Sequence, residues 1–222
     1  MNTRSDTFLL SVCRPTGPKR RVTDMATRMF HWLFAFSFLG AYVTSEGERW
    51  RNVHITLGYT MIGLLAARIL WGIWGPKRSR LSTIAQRIKS IRPWLSDLKS
   101  GKSLSGVNWT TPQNALTGLF VASLLGLTVP LVLSGYMTEA DLLGSFMEEV
   151  HEFFGESYLM VVLAHIGTIA FFSVIRRKNL AHPMVSGYTA GAGPDLVKTN
   201  HVIWALALLS GTLAWWIWSL AI

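Results

Sequence analysis

Six histidines are the residues of this chain best suited to chemistry: His31, His54, His151, His165, His182 and His201. An imidazole ligates metals and exchanges protons near neutral pH. His151 and His165 stand fourteen residues apart. On a helix that is close to four turns, so both leave one face, offset by about 40° and separated by about 21 Å along the axis. Two imidazoles that far apart cannot share one ion, but they can serve two cofactors stacked along a single helix. Each then needs a partner histidine from another element. Which histidines meet depends on how the chain is threaded.

Half of the 222 residues are hydrophobic and only 15% are charged, whereas soluble domains carry roughly a quarter charged residues. Mean hydropathy is +0.33. A soluble globule and a disordered chain are both excluded. Five stretches approach the roughly 20 apolar residues of a membrane span: 25–45, 53–75, 115–136, 150–175 and 201–222, the third with Pro130 as an expected kink. The one cysteine, Cys13, excludes an intrachain disulfide and a four-cysteine cluster, and no C-x-x-C-H is present for covalent haem attachment. The short apolar run 8–13 is no signal peptide, so residues 1–24 read as a retained basic tail.

Five spans place residues 1–24, 76–114 and 176–200 on one side, and these hold 17 of the 21 Lys and Arg residues. The opposite side, 46–52 and 137–149, holds Arg49 and Arg51 against six carboxylates. The positive-inside rule makes the basic side cytoplasmic, with the N-terminus inside and the C-terminus outside. The net charge of +9 therefore expresses topology and not nucleic-acid binding. Threaded this way, His54 and His151 share the outer level and His31 and His165 the inner level, each pair drawn from two helices. Taken alone, His54 or His151 also reads as an interfacial polar residue; the two-level pairing is what makes all four ligand candidates. A planar macrocycle held by two axial imidazoles needs this arrangement, and iron closed on both faces favours electron transfer over oxygen chemistry.

The other polar residues have double readings. Arg28, one turn before His31, suits a propionate of an inner haem or simple interfacial anchoring. Arg68, inside the second span, suits a propionate or anionic-quinone partner, or snorkelling to the surface. His182 and His201 read as loop and interfacial residues. Gly58 and Gly63 permit close approach to a macrocycle or to another helix. Glu152 and Glu156 suit a quinone near the outer face or a solvated helix end. In the long inner loop, Leu81, Ile84, Ile88, Ile91, Leu95 and Leu98 recur at helical spacing among Arg87, Lys89, Arg92 and Lys99. They predict a basic amphipathic segment on the membrane surface, interrupted at Pro93. Trp215, Trp216 and Trp218 suit an interfacial aromatic belt or helix filler.

Arg28-x-x-His31-Trp32, His54 with Gly58 and Tyr59, Arg68-x-x-Trp71-Gly72 and the following Gly75-Pro76-x-Arg78-x-Arg80 resemble the prokaryotic cytochrome b561 and Ni/Fe-hydrogenase-type cytochrome b family. So do Asn114 with Leu116-Thr117-Gly118, Val150-His151-Glu152, Ala164-His165, and Lys178-Asn179-Leu180 followed by Pro183 through Gly187. The resemblance spans residues 22–188, and the basic tail and fifth span depart from it. It implies a four-helix bundle with two non-covalent b haems, each held by two histidines, and electron passage between a quinone pool and a periplasmic partner. Matched motif to motif, the iron ligands fall on His31, His54, His151 and His165.

The expectation is an all-α membrane protein: a four-helix haem-binding bundle, residues 25–175, with a fifth C-terminal transmembrane helix at 201–222 after a cytoplasmic loop at 176–200. It sits in the bacterial inner membrane, contacts lipid, and serves quinone and a periplasmic c-type cytochrome or a redox enzyme. An electron-transfer subunit fits better than a stand-alone enzyme. Two alternatives stay open: a self-contained superoxide/quinone oxidoreductase using Arg49 and Arg51 to attract the anion, and a His-based Zn or Cu transporter, which lacks nearby ligands to complete a tetrahedral site.

Overall fold

The computed structural model describes residues 18–76, 79–99 and 109–221, with side chains omitted for 97–99. Most of the basic tail, including Cys13, together with Arg78, the stretch 100–108 and the side chains of Leu98 and Lys99, lies outside the described residues. The described elements are α1 (Met25–Val43), α2 (Arg51–Trp74), α3 (Leu81–Lys89), α4 (Ile91–Lys99), α5 (Thr110–Glu139), α6 (Ser145–Ile175), α7 (His182–Ser186) and α8 (Val202–Ala221), with two three-residue strands, β1 (Lys19–Arg21) and β2 (Tyr188–Ala190). The strands pair antiparallel, Arg20 opposite Thr189, and tie the start of the described chain to the segment before α8. Among the described residues they are the one departure from helix.

Among the described residues four helices are long and apolar enough to cross a membrane: Glu48–Trp74 (α2 with its leading 3₁₀ turn), α5, α6 and α8. In the apolar windows of α6 and α8 only 11% of residues are buried within the protein. Side chains such as Val174 and Ile203 lie open, which in water would be an aggregation surface and in lipid is a solvated one. Of the five expected spans, α1 alone stands outside this set. Its 19 residues carry Arg28 and His31, which lower its hydropathy although its length still suits a span.

Sequence fixes the helix ends by recognisable means. Asp24 caps α1, its carboxylate accepting from Thr27 N at 2.6 Å. Gly75 and Pro76 stop α2, where Gly75 N donates back to the Trp71 carbonyl. α5 starts earlier than hydropathy suggested because Pro112 falls in its first turn, where a missing N–H costs nothing, and it continues through Pro130. A short turn with Asp141, Leu143 and Gly144 at positive φ returns the chain into α6.

The core lies where α1, α2, α5 and α6 meet, around Phe34, Phe38, Met61, Leu64, Leu131 and Tyr158. The inner loop differs from the surface helix expected of it. It breaks at Ser90, between α3 and α4, and not at Pro93, which sits in the first turn of α4 where it is tolerated. α3 is packed on protein: Leu81 fills the notch left by Gly72 of α2, and the Arg87 side chain crosses α5 at Gly118, where a Cβ would lie 3.3 Å from Arg87 Cβ. Burial there pushes the Arg87 guanidinium down from its usual pKa.

α8 docks on α1 and α2. Its seam with α2 is a polar ladder: Thr56 Oγ1 to Ser219 Oγ at 2.7 Å, Trp216 Nε1 donating to Thr60 Oγ1 at 2.8 Å, and Trp215 Nε1 donating to the Thr56 carbonyl at 3.3 Å. Two of the three tryptophans expected at an interface thus point their indoles at a neighbouring helix. Trp218 stays exposed.

Candidate functional site

His54 lies in the first turn of α2, beside the end of α1. The last carbonyls of a helix have no intrahelical donor, and Ala41 supplies one of them: His54 Nδ1 donates to the Ala41 carbonyl at 2.8 Å. His151, in α6, does the same across the bundle, its Nδ1 donating to the Leu131 carbonyl of α5 at 2.9 Å, with Ser134 Oγ 3.3 Å from the same nitrogen. A carbonyl only accepts, so each ring carries its proton on Nδ1. Nε2 is left with a free lone pair, the state a metal ligand needs. Gly135 makes room for this placement: a Cβ there would sit 2.8 Å from His151 Cε1.

The two ring centres lie 5.9 Å apart with their planes at 87°, edge-on to each other. Two imidazoles on opposite sides of one metal, each nitrogen about 2 Å from it, put their ring centres roughly 6 Å apart. Both rings line a cavity of 780 Å³ formed by α1, α2, α5 and α6 at the end of the bundle that carries the short α1–α2 and α5–α6 connections. That volume suits an organic cofactor. Gly58 lines it, as do Glu152 and Glu156; Gly63 does not, and faces α8 instead.

His31 lies in α1 and His165 in α6, the pair expected at the second level. Both are partly buried and lie within electrostatic reach of each other. Neither Nδ1 has a partner: both are buried polar atoms without a hydrogen bond. His165 lies edge-on to Phe120 at 6.1 Å and His31 edge-on to Trp32 at 5.2 Å. Buried orphan nitrogens are rare and costly, and two of them on one level mark a place where a further group belongs.

Tyr158 escaped the sequence reading. It is 1% exposed, packs on Phe38 at a ring distance of 4.5 Å, and places its hydroxyl 3.5 Å from Thr128 Oγ1. It stands seven residues from His151 and seven from His165, hence on their shared face midway between the levels. That spacing was the signal available.

The two arginines are committed elsewhere. Arg28 Nη1 donates to the Val185 carbonyl at 2.7 Å, and Trp32 Nε1 to the Met184 carbonyl at 3.0 Å, so α1 grips the α7 segment. Gly187, at φ +85°, packs on the Arg28 guanidinium, where a Cβ would come within 3.2 Å of Cζ. Arg68 does not snorkel. It is buried and donates to the Ser79 carbonyl at 2.8 Å, while Ser79 Oγ donates to Asp24, itself 1% exposed, at 2.9 Å. Arg68, Ser79 and Asp24 thereby lock the end of α2 to the start of α1. Of the remaining histidines, His182 Nδ1 bonds Ser186 Oγ within α7 and His201 packs edge-on to Trp71.

Residues 22–187, about three quarters of the chain, match prokaryotic cytochrome b561. The chain belongs to the prokaryotic cytochrome b561 family. Members are four-helix membrane haem bundles, so this is a multi-pass membrane cytochrome of the electron-transfer class that binds haem b. No curated protein and no solved structure matches the chain. The matched stretch runs from α1 through α7 and stops before α8. Among the described residues no group of three or more His, Cys, Asp and Glu side chains is placed to hold a metal ion.

Proposed function

We propose that this cytochrome carries electrons across the bacterial inner membrane through two b haems, between the quinone pool and a periplasmic partner, a c-type cytochrome or a redox enzyme. His54 and His151 hold the outer haem and His31 and His165 the inner one. When bound, haem b would supply one-electron chemistry there. The chain supplies the ligands, their tautomers, and the separation of the levels. The close pair His54–His151, ring centres 5.9 Å apart with both Nδ1 atoms committed to carbonyls, is the observation that carries this reading.

With α1 crossing as well, five spans put the termini on opposite sides, and the excess of Lys and Arg at the His31–His165 end makes that end cytoplasmic. Tyr158, Phe38 and Met61 form the packed layer between levels. Arg28 and Arg68 act on the inner level indirectly, by fixing α1, α2 and α7. The carboxylates around the outer cavity favour a basic docking partner. They also weigh against superoxide as the substrate, since the mouth repels anions, Arg51 is paired with Glu139, and Arg49 rests over the Trp50 ring.

The test is a haem and protein quantitation on the detergent-purified chain with its reduced-minus-oxidised spectrum. Two low-spin b haems per chain are expected. A single haem would dismiss one of the pairs, and none under ample haem supply would dismiss the reading.

A further inference from the structure

The outer cavity has a charge problem that one residue can solve. Its lining includes the carboxylates of Glu46, Glu48, Glu139, Glu148, Glu152 and Glu156. Haem b brings two more carboxylates, its propionates. A carboxylate taken into such surroundings without a cation is strongly disfavoured. The one cation among the lining residues is Arg51. It precedes His54 by three residues, so the two side chains share a face of α2 within one turn. Arg28 and Arg68, the propionate candidates read from the sequence on the inner side, lie at the other end of the bundle, bonded to Val185 and Ser79.

Arg51 is free to take the role. Its partner is Glu139, at 3.0 Å, and the two side chains are 60% and 39% exposed. An ion pair that open to solvent is weak and exchanges partners readily. The planar guanidinium fork matches a carboxylate in two-point contact. We propose that Arg51 receives a propionate of the outer haem, fixing its carboxylate edge towards the cavity mouth, and that Glu139 holds the guanidinium in place until then. Bound so, Arg51 is a positioning residue. It also offsets the field of the six glutamates, which by itself favours ferric over ferrous iron. The inference rests on the two-haem reading and adds a residue and an orientation to it.

Redox titration of the holoprotein, followed by haem quantitation and the propionate bands of its resonance Raman spectrum, tests this with Arg51→Gln, Arg51→Lys and Glu139→Gln. Loss of the positive charge in Arg51→Gln should lower the outer midpoint potential by about 59 mV, a tenfold change in the ferric-to-ferrous ratio at fixed potential, and shift the propionate bands. Arg51→Lys should recover the potential but not the two-point contact. Glu139→Gln should keep the outer haem and its bands. The inner haem should hold its potential throughout. If Arg51→Gln instead releases the outer haem, retention of that haem in Glu139→Gln supports the propionate contact. Equal loss in Glu139→Gln makes the pair a strut between α2 and α5 and overturns the proposal, as does an Arg51→Gln protein with unchanged potential and bands. Absence of an outer haem in the parent chain would count against the two-haem reading itself.

Discussion

The two histidine levels are built differently although one helix, α6, contributes to both. At the outer level each ring is held by contacts within the protein: a carbonyl from a neighbouring helix takes the Nδ1 proton, and the ring centres stand 5.9 Å apart. At the inner level both Nδ1 atoms are buried without partners, and the order around them is supplied by a cap of Asp24, Ser79, Arg68 and the α7 segment. Preorganised ligands bind with less loss of freedom. The outer level is therefore a site shaped by its own first contacts, and the inner level a site held in place by its surroundings.

The largest effect expected from breaking this contrast is the removal of a ligand. His54→Ala or His151→Ala should take the haem content from two per chain to one and leave the inner signal intact; His31→Ala or His165→Ala should do the reverse. Haem-to-protein ratio with low-temperature spectra resolves the two cases. Should any of the four variants retain two low-spin haems, the pairing is wrong.

Next comes steric displacement. Gly135→Val places a branched side chain where even a Cβ would meet His151 Cε1 at 2.8 Å, so the ring must leave its carbonyl. The outer haem should be lost or turn high-spin. Gly167→Ala, two residues beyond His165, meets nothing within 4 Å and should leave both haems unchanged. Equal behaviour of the two variants in an absorption spectrum would erase the claimed difference in preorganisation.

The cap gives an intermediate effect of the opposite address. Asp24→Ala removes the α1 N-cap and the acceptor of Ser79 at once. The cap alone costs about 1–2 kcal/mol. The first haem released on heating should then be the inner one. Thermal release followed at two wavelengths separates the levels, and simultaneous release would show that the cap serves the whole bundle.

Much of this was legible in the sequence because the physics is periodic. Fourteen residues between His151 and His165 fix their common face, and the alternation of spans sorts four histidines into two levels before any coordinate is known. The family match over residues 22–187 agrees with the motifs quoted for it. What escaped is what depends on non-local contact. Arg68 looks like a ligand for an anion when only its span is known, and its actual partner, Ser79, lies across a loop. Trp215 and Trp216 look like a belt until α8 is laid on α2. The inner loop shows its amphipathic period, but not that α5 would carry Gly118 to receive Arg87. Tyr158 was visible in principle, at the midpoint of the histidine spacing, and was hidden because an aromatic residue in an apolar run draws no attention.

The smallest effect probes the outer level most finely. Ser134 Oγ lies 3.3 Å from His151 Nδ1 and 2.9 Å from the Leu131 carbonyl that accepts the Nδ1 proton. Since the hydroxyl donates to that carbonyl, it competes with the imidazole for one acceptor. Ser134→Ala removes the competitor, leaving Leu131 to His151 alone. The Nδ1–H bond should then tighten, giving Nε2 more electron density and stabilising the ferric iron it would bind. The outer midpoint potential should fall, with both haems retained and the stability change held to about 1 kcal/mol, the worth of one hydrogen bond. A rise would mean that Ser134 assists the histidine, as a relay to the backbone, and that the carbonyl is not the dominant partner. Either sign leaves the inner haem where it was, because Nδ1 of His31 and Nδ1 of His165 have no hydroxyl partner to be removed.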